Sequence, residues 1–206
     1  MTVKGMLSGW VLLPLCACLF WSTPGITGFP ASGLPAETGP DEQLERVEAL
    51  GRLINRRLSL MKDVAAYKWE HRIPIEDLQR EKEVLESSIQ AAESMGLNPT
   101  ASSRFFEQQI ELAKSVQQYW FDHWESKGFE QYDYADLTTE IRPVLLELGD
   151  KILFSVANLD LQQDLKRKKI KRLSRRFAGT INTIGVARTD KKALFDSVLK
   201  IITKRS

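Results

Sequence analysis

Cysteine is nearly absent from the sequence: of 206 residues only Cys16 and Cys18 carry a thiol, and both lie close to the N-terminus. If that N-terminal segment is removed on export, the mature chain has no thiol and cannot form a disulfide. Thiol catalysis and cysteine-ligated metal sites are therefore excluded for the mature chain. The two histidines, His71 and His123, lack the spacing of metal ligands. We expect no metal and no cofactor, and a fold held together by helix packing alone.

Strand-like alternation of apolar and polar residues is also missing, as is a glycine-rich phosphate-binding loop. Lys and Arg number 29 against 27 Asp and Glu, so the formal net charge is only +2 and no whole-molecule field favours a nucleic-acid partner. A chain of this length is sufficient for one domain with its own hydrophobic core. Most of the chain shows the apolar periodicity of amphipathic helices. The sequence predicts an all-α, single-domain bundle of about six helices.

The first 33 residues have the pattern of a secretory signal peptide and its cleavage region. Lys4 precedes an apolar run, Trp10–Trp21, and small or turn-forming residues follow as far as Gly33. The run has twelve residues, short of the roughly 20 that span a bilayer. We therefore predict a cleaved signal, a periplasmic or secreted protein, and no stable membrane association after cleavage. Two alternatives are a retained signal anchor and lipidation of Cys18 in a degenerate lipoprotein box.

Residues 34–40 contain proline and glycine and are expected to form a flexible leader before a domain at 41–206. Within this domain, capping residues and prolines set the expected limits of the helices. The predicted helices are 41–72, 75–95, 98–125, 139–158, one opened by Asp160 with Gln163, and one opened by Thr189 with Asp190.

The stretch Leu50–Glu86 places charged residues where a helical core should be apolar. Arg57 and Lys68 fall on the apolar stripe of the first predicted helix, eleven residues apart. At roughly 100° per residue this separation is three turns plus about 20°, so both side chains project from one face, about 16 Å apart along the axis. Two cations are thus predicted to point inward.

A second charged group follows Pro74, where Asp77, Arg80 and Glu81 share one helix face. Burying a charge costs several kcal/mol unless it is compensated, and the two carboxylates are too few to neutralise Arg57, Lys68 and Arg80. A small ligand with several negative charges would supply the missing compensation. The alternative is that the cations lie at the edge of the stripe and extend to water.

The spacing of these residues resembles the active-site segment of the all-helical chorismate mutases. The resemblance is carried by Arg57, Lys68, Arg80 and Glu81, with Ile73–Asp77 between them. It covers roughly Glu42 to Trp124 and extends more weakly to the C-terminus, where the layout resembles the secreted (gamma) subclass. It implies a chorismate mutase type II-like bundle, with active-site helices at 41–125 and C-terminal helices at 126–206.

The resemblance also implies an activity: an intramolecular isomerase of the shikimate pathway, converting chorismate to prephenate for aromatic amino acid biosynthesis by an electrostatically assisted Claisen rearrangement. It implies a homodimer that needs no metal or other cofactor. Its catalytic residues would be Lys68, Gln117 and Glu81. The substrate-binding residues would be Arg57, Lys68, Asp77, Arg80, Glu81, Gln117 and Arg142.

The implied roles follow the substrate's polar groups. Arg57 would bind a carboxylate, while Lys68 would contact a carboxylate and the ether oxygen, with Gln117 as the second donor to that oxygen. Glu81 would accept the ring hydroxyl, supported by Asp77, and Arg80 would line the pocket. Arg142 would be the arginine that the secreted subclass supplies from its own C-terminal half. Ala113 departs from the family pattern, which often has Ser or Thr there.

The competing hypothesis is an exported helical binding module that uses the basic segment Lys166–Arg176 to contact an anionic partner. Ile170, Leu173 and Phe177 alternate with the cations at helical spacing. This pattern is typical of a core-facing stripe with a solvated basic face. We therefore favour the enzyme and expect no nucleic-acid partner.

Overall fold

The computed structural model describes residues 39–159, 161 and 166–203, all of which belong to one compact unit. They form α1 (Pro40–Ser59), α2 (Met61–Glu70), α3 (Leu78–Ser94), α4 (Pro99–Lys127), α5 (Arg142–Ala157), α6 (Arg167–Thr180) and α7 (Arg188–Thr203), with a π-helical turn at Leu137–Ile141. No strand occurs in this part of the chain, which confirms the all-α prediction. The predicted signal peptide and Cys18 lie outside the described residues, as do Asp160 and Gln163 themselves. The predicted helix start at Asp160 is wrong, because Leu161 is not helical and α6 begins at Arg167.

The first two helices are one helix interrupted at a single residue, Leu60. Leu60 has nearly helical dihedrals, φ −67° and ψ −14°, and its carbonyl accepts the N–H groups of both Asp63 and Val64. When α1 and α2 are counted together, the described residues form six α-helices, the number that was predicted. The continuity explains why residues eleven positions apart can point to the same side.

The third helix begins later than predicted. Its N-cap is Asp77, whose backbone is not helical (φ −142°, ψ 78°) and whose carboxylate accepts the N–H of Arg80 at 3.1 Å. The expected start at Ile75 is wrong because an aspartate stabilises a helix more as its N-cap than as an interior residue. The consequence is that the Asp77 carboxylate is fixed in direction at the helix end.

Two prolines lie in the first turns of helices. Pro99 opens α4 after the Asn98 cap, whose side chain accepts the Ala101 N–H at 2.8 Å. Pro143 lies in the first turn of α5, directly after Arg142. Proline is tolerated there because a first-turn N–H has no intrahelical partner to lose.

The main hydrophobic core lies between α1, α4, α5, α6 and α7. Its largest fully buried side chains include Phe105, Phe106, Phe177 and Phe195. Leu173 and Phe177 of α6 are almost completely buried, whereas most of the cations of this helix are exposed. The prediction of a core-facing stripe with a basic outer face is therefore confirmed. Among the described residues, no helix is long and apolar enough to cross a membrane.

An aromatic cluster fixes the segment 128–136 against α2 and α4. Tyr132 donates a hydrogen bond to Asp63 Oδ1 at 3.1 Å, and Tyr134 donates one to Glu70. The ammonium group of Lys62 lies over the rings of Trp120 and Tyr132, 4.6 Å and 4.4 Å from their centroids. The chain therefore reaches the π-helical turn from an anchored position.

The contact between α1 and α6 depends on Gly51. A Cβ atom there would collide with the Thr180 hydroxyl and lie 3.0 Å from the backbone oxygen of Phe177. Gly51→Ala should therefore lower the free energy of unfolding by about 1–3 kcal/mol, although alanine is the better helix former. Gly179→Ala is the matched control, because no atom lies within 4 Å of the added methyl group. Chemical denaturation of both variants checks this, and an unchanged midpoint for Gly51→Ala would contradict it.

Candidate active site

A cavity of about 140 Å³ lies between α1, α2, α3, α4, the π-helical turn and α5. Every residue of the predicted site lines it: Arg57, Lys68, Asp77, Arg80, Glu81, Gln117 and Arg142. Residues separated by up to 85 positions in the sequence thus meet around one space. The surrounding wall is largely apolar and includes Val64, Ile110 and Leu145.

Arg57 is a buried cation without a carboxylate partner. Its side chain comes from the end of α1, the residue is 7% exposed, and its Nε is buried without a hydrogen-bond acceptor. No acidic group of the described residues forms an ion pair with it. Burial, with the nearby Arg80 charge, lowers the pKa of Arg57 to about 10, so it is still protonated at neutral pH. The alternative that this cation extends to water is excluded.

Lys68 is buried almost as deeply, at 6% exposure. Its ammonium group donates a hydrogen bond to the backbone oxygen of Ile75 at 2.6 Å. Burial lowers the pKa of Lys68; Asp77 and Glu81 act in the opposite direction, and Arg142 adds to the lowering. A single backbone carbonyl occupies one of the three N–H donors of the ammonium, which leaves two for another acceptor.

The carboxylates of the site connect three helices. Glu81 accepts the Asp77 N–H at 3.4 Å through Oε1 and the Lys114 ammonium at 3.2 Å through Oε2. Asp77, besides capping α3, lies 3.9 Å from a guanidinium nitrogen of Arg142. Both acidic side chains are therefore held in position before any ligand binds, which reduces the ordering that binding requires.

Arg80 was predicted to point inward with the other two cations, and this is only partly correct. It lines the cavity, but its side chain is 36% exposed and donates to Glu83 Oε2 at 3.0 Å. Hydrogen bonds from Gln79 and Arg80 lower the pKa of Glu83. The position of Arg80 at the cavity rim corresponds to the alternative in which a long side chain extends to water.

Gln117 is a buried polar residue of α4, 4% exposed. Its Nε2 donates to the backbone oxygen of Ala113 at 3.1 Å and lies 3.8 Å from the sulfur of Met61, a weak acceptor. Its Oε1 is buried without a partner. The carboxamide is therefore held by its own helix at the lining of the cavity, while its Oε1 has no hydrogen-bond partner and one N–H is near only a weak acceptor.

Lys114 was not among the residues predicted from the sequence. It lines the cavity and pairs with Glu81 and with Glu111, the latter at 2.7 Å. In the sequence it belongs to an ordinary i, i+3 charge pair on a helix surface, which explains why it was overlooked. Its position three residues before Gln117, on the same helix face, is the signal that could have identified it.

With Lys114 included, five cationic side chains line the cavity: Arg57, Lys68, Arg80, Lys114 and Arg142. Three acidic side chains oppose them: Asp77, Glu81 and Asp150. The lining thus has a surplus of two positive charges. Among the described residues, no group of three His, Cys, Asp or Glu side chains could hold a metal ion.

Comparison with known proteins assigns this arrangement to a family. Residues 48–118 match the model of the family described as chorismate mutase type II. The secreted chorismate mutase of Yersinia pestis is 34% identical over 154 residues, which are 74% of this chain and 80% of the relative. This chain belongs to the chorismate mutase family.

Other comparisons agree with the assignment. The monofunctional chorismate mutase of Enterobacter agglomerans is 29% identical over 154 residues, 74% of this chain and 82% of that protein. The crystal structure of the Yersinia pestis secreted chorismate mutase matches with a TM-score of 0.64 and 33% identity, covering 73% of this chain and 94% of that one. The family match ends at residue 118, so the presence of Arg142 at the cavity rests on the fold.

The buried, unpaired guanidinium of Arg57 should make the folded chorismate mutase less stable than it could be. Because the pKa of Arg57 is lowered to about 10 in the folded chain, the folded chain binds this proton less firmly than the unfolded chain does. The resulting loss of folding stability is present at neutral pH and fades only above about pH 10. Replacing Arg57 by methionine should raise the free energy of unfolding by roughly 1 kcal/mol or more. Arg56→Met, on the exposed face of the same helix, should change it little. Lower stability of Arg57→Met in thermal denaturation would contradict this account.

Proposed function

We propose that this member of the chorismate mutase family converts chorismate to prephenate. The observation that carries the proposal is the cavity with a surplus of two positive charges, in which Arg57 and Lys68 are buried and form no ion pair with a carboxylate of the described residues. Chorismate has two carboxylates, so its charge matches the surplus. A bound dianion would supply the compensation that the buried cations lack.

The reaction explains why the site contains cations and hydrogen-bond donors and needs no nucleophile. In the rearrangement the ether C–O bond breaks while a C–C bond forms within the same molecule, and no proton or group is transferred to the protein. The protein has to hold the substrate in a compact conformation and stabilise negative charge that develops on the ether oxygen. Both contributions come from positioned charges and donors.

The two ends of the cavity would bind different parts of the substrate. Arg57 and Arg142 would bind carboxylates, and Lys68 would use its two remaining N–H groups for a carboxylate and the ether oxygen. Glu81, whose carboxylate is already held by Lys114, would accept the ring hydroxyl. Asp77 would keep Arg142 and the start of α3 in place, and Arg80 would line the entrance.

Gln117 would be the second donor to the ether oxygen. One of its two N–H groups donates to the Ala113 carbonyl, and the other is near only the Met61 sulfur. In the complex, the substrate's ether oxygen would replace the Met61 sulfur as acceptor of this N–H. The hydrogen bond would be strongest in the transition state, when negative charge develops on that oxygen. An interaction that is stronger in the transition state than in the ground state accelerates the reaction. The hydroxyl that many family members have at position 113 would be replaced here by another donor or a water molecule.

We propose further that the protein is exported after cleavage of residues 1–33 and that it forms homodimers with one complete site in each subunit. Export is supported by the relative named as a secreted chorismate mutase. Dimerisation rests on the family resemblance, and α5 offers exposed apolar surface in Leu146 and Phe154. A mature chain that still contains Cys16 would contradict cleavage, and a monomer in analytical ultracentrifugation would contradict the dimer.

The disappearance of chorismate, followed by its ultraviolet absorbance with purified residues 34–206, tests the activity. Wild type should consume chorismate, while Arg57→Met should lose on the order of 100-fold or more in kcat/KM because it lacks a charge-assisted contact. Arg56→Met is the control with wild-type turnover. A folded chain that leaves chorismate unchanged would overturn the proposal, and salt-sensitive retention on anionic vesicles would then favour the binding-module hypothesis.

The pH dependence of a Gln117→Glu variant tests the role of the carboxamide. A carboxamide donates at any ordinary pH, whereas a carboxylic acid donates only while protonated, and an unperturbed Glu titrates near pH 4.3. Wild-type kcat/KM should be nearly flat around neutrality. The variant should be active at acid pH and lose activity as the pH rises past the pKa of the new acid, which burial raises and the nearby cations lower.

The two profiles are compared from about pH 4 to pH 8, with circular dichroism at each pH to detect acid unfolding. If both proteins gave the same profile, Gln117 would not face the ether oxygen.

A further inference from the structure

The turn that precedes α5 is wider than an α-helical turn. The N–H of Ile141 donates to the Asp136 oxygen at 2.9 Å, and the N–H of Arg142 donates to the Leu137 oxygen. Both bonds reach back five residues, the pattern of a π-helix, which occurs mostly as single turns and often at functional sites. This turn immediately precedes the only residue of α5 that brings a cation to the cavity.

The width of the turn decides where Arg142 points. Leu137 and Arg142 both line the cavity although they are five residues apart. In an α-helix, five residues correspond to a rotation of about 140°, which would direct the two side chains to nearly opposite faces. Where each N–H bonds the carbonyl five residues back, residues five apart lie on about the same face. The wide turn therefore allows Leu137 to pack in the core while Arg142 reaches Asp77.

Asp136 holds this turn through three hydrogen bonds to one carboxylate oxygen. Its Oδ1 accepts the N–H of Thr138 at 2.9 Å, the N–H of Thr139 at 2.7 Å and the Thr139 hydroxyl at 2.7 Å. Its own N–H donates to Glu140 Oε2 at 2.7 Å. These bonds, chiefly that of the Thr139 N–H, lower the pKa of Asp136, so the carboxylate is charged at neutral pH and its hydrogen bonds are charge-assisted.

Two neighbouring features favour the same geometry. Pro143 follows Arg142, and its ring would clash with the carbonyl four residues back, that of Thr139, in a continuous α-helix. On the other side, Tyr132 and Tyr134 tie the incoming chain to α2. Neither feature supplies an acceptor for the N–H groups of Thr138 and Thr139 at the start of the turn. Both of these groups donate to Asp136 Oδ1.

We propose that Asp136 is a positioning residue for the reaction, acting through Arg142: its carboxylate keeps the turn at Leu137–Ile141 wide and so directs the Arg142 guanidinium into the cavity beside Asp77. The inference rests on the proposed function insofar as Arg142 binds substrate. Asp136 itself does not line the cavity.

A double-mutant cycle on the full mature chain tests the proposal. Asp136→Ala should lower kcat/KM on the order of ten-fold or more, mainly through KM, because a substrate-binding group is misplaced. In the Arg142→Ala background the same substitution should cost less than about two-fold, since there is no guanidinium left to position. Equal losses in both backgrounds would show a general structural effect and overturn the proposal.

Two further variants separate positioning from folding. Asp136→Asn keeps the oxygen that accepts all three bonds and should retain most of the activity. Asp133→Ala removes an exposed aspartate three residues earlier and should behave as wild type. Loss of activity in Asp136→Asn equal to that in Asp136→Ala would count against the proposal.

A crystal structure of Asp136→Ala provides a test that does not need turnover. The Arg142 guanidinium should move away from Asp77, from which it lies 3.9 Å in the wild-type chain. An unmoved guanidinium would overturn the proposal even if the enzyme is active. Absence of chorismate turnover in wild type would instead overturn the proposed function, while the structure of the variant would still decide whether Asp136 positions Arg142.

Discussion

The arrangement of this protein depends on the burial of two cations, Arg57 and Lys68, on one side of the interrupted helix α1–α2. Each is less than 10% exposed, and neither forms an ion pair with a carboxylate of the described residues; Lys68 donates to one backbone carbonyl. Such a site is maintained against the cost of desolvation by the packing around it. The core between α1 and α4–α7 provides that packing: it fixes α1, and two of its side chains, Phe106 and Leu153, also line the cavity.

Two acidic residues of the site, Asp77 and Glu81, each make two contacts. Asp77 caps α3 and faces Arg142, and Glu81 accepts both the Asp77 N–H and the Lys114 ammonium. The same contacts that end or begin helices therefore hold the functional groups in position. The described residues include no cysteine, so contacts of this kind, and not a disulfide, keep the site preorganised.

Charge is separated between two regions of the molecule. Arg57 and Lys68 of the cavity are buried, whereas most cations of α6 face water, with Arg176 paired to Glu48 of α1. In the sequence, the cations of α6 form a basic helical segment, while Arg57 and Lys68 fall on an apolar stripe. What distinguishes them is the apolar residue pattern beside them, since α6 places Leu173 and Phe177 on its buried face and its cations elsewhere.

The sequence alone determined the helical class and most helix limits, because these follow from local periodicity, caps and prolines. It placed Arg57 and Lys68 on an apolar stripe, but only the structure decided that both are buried and do not extend to water. Together with the family resemblance it also pointed to the seven residues that meet at the cavity. It did not determine the start of α3, the rim position of Arg80 or the participation of Lys114. The start of α3 depends on Asp77 acting as an N-cap, which apolar periodicity does not decide. The rim position of Arg80 and the participation of Lys114 depend on how the helices pack around the cavity. The orientation of Arg142 depends on the wide turn before α5, and that turn is decided by hydrogen bonds and tertiary anchors that helical periodicity does not encode.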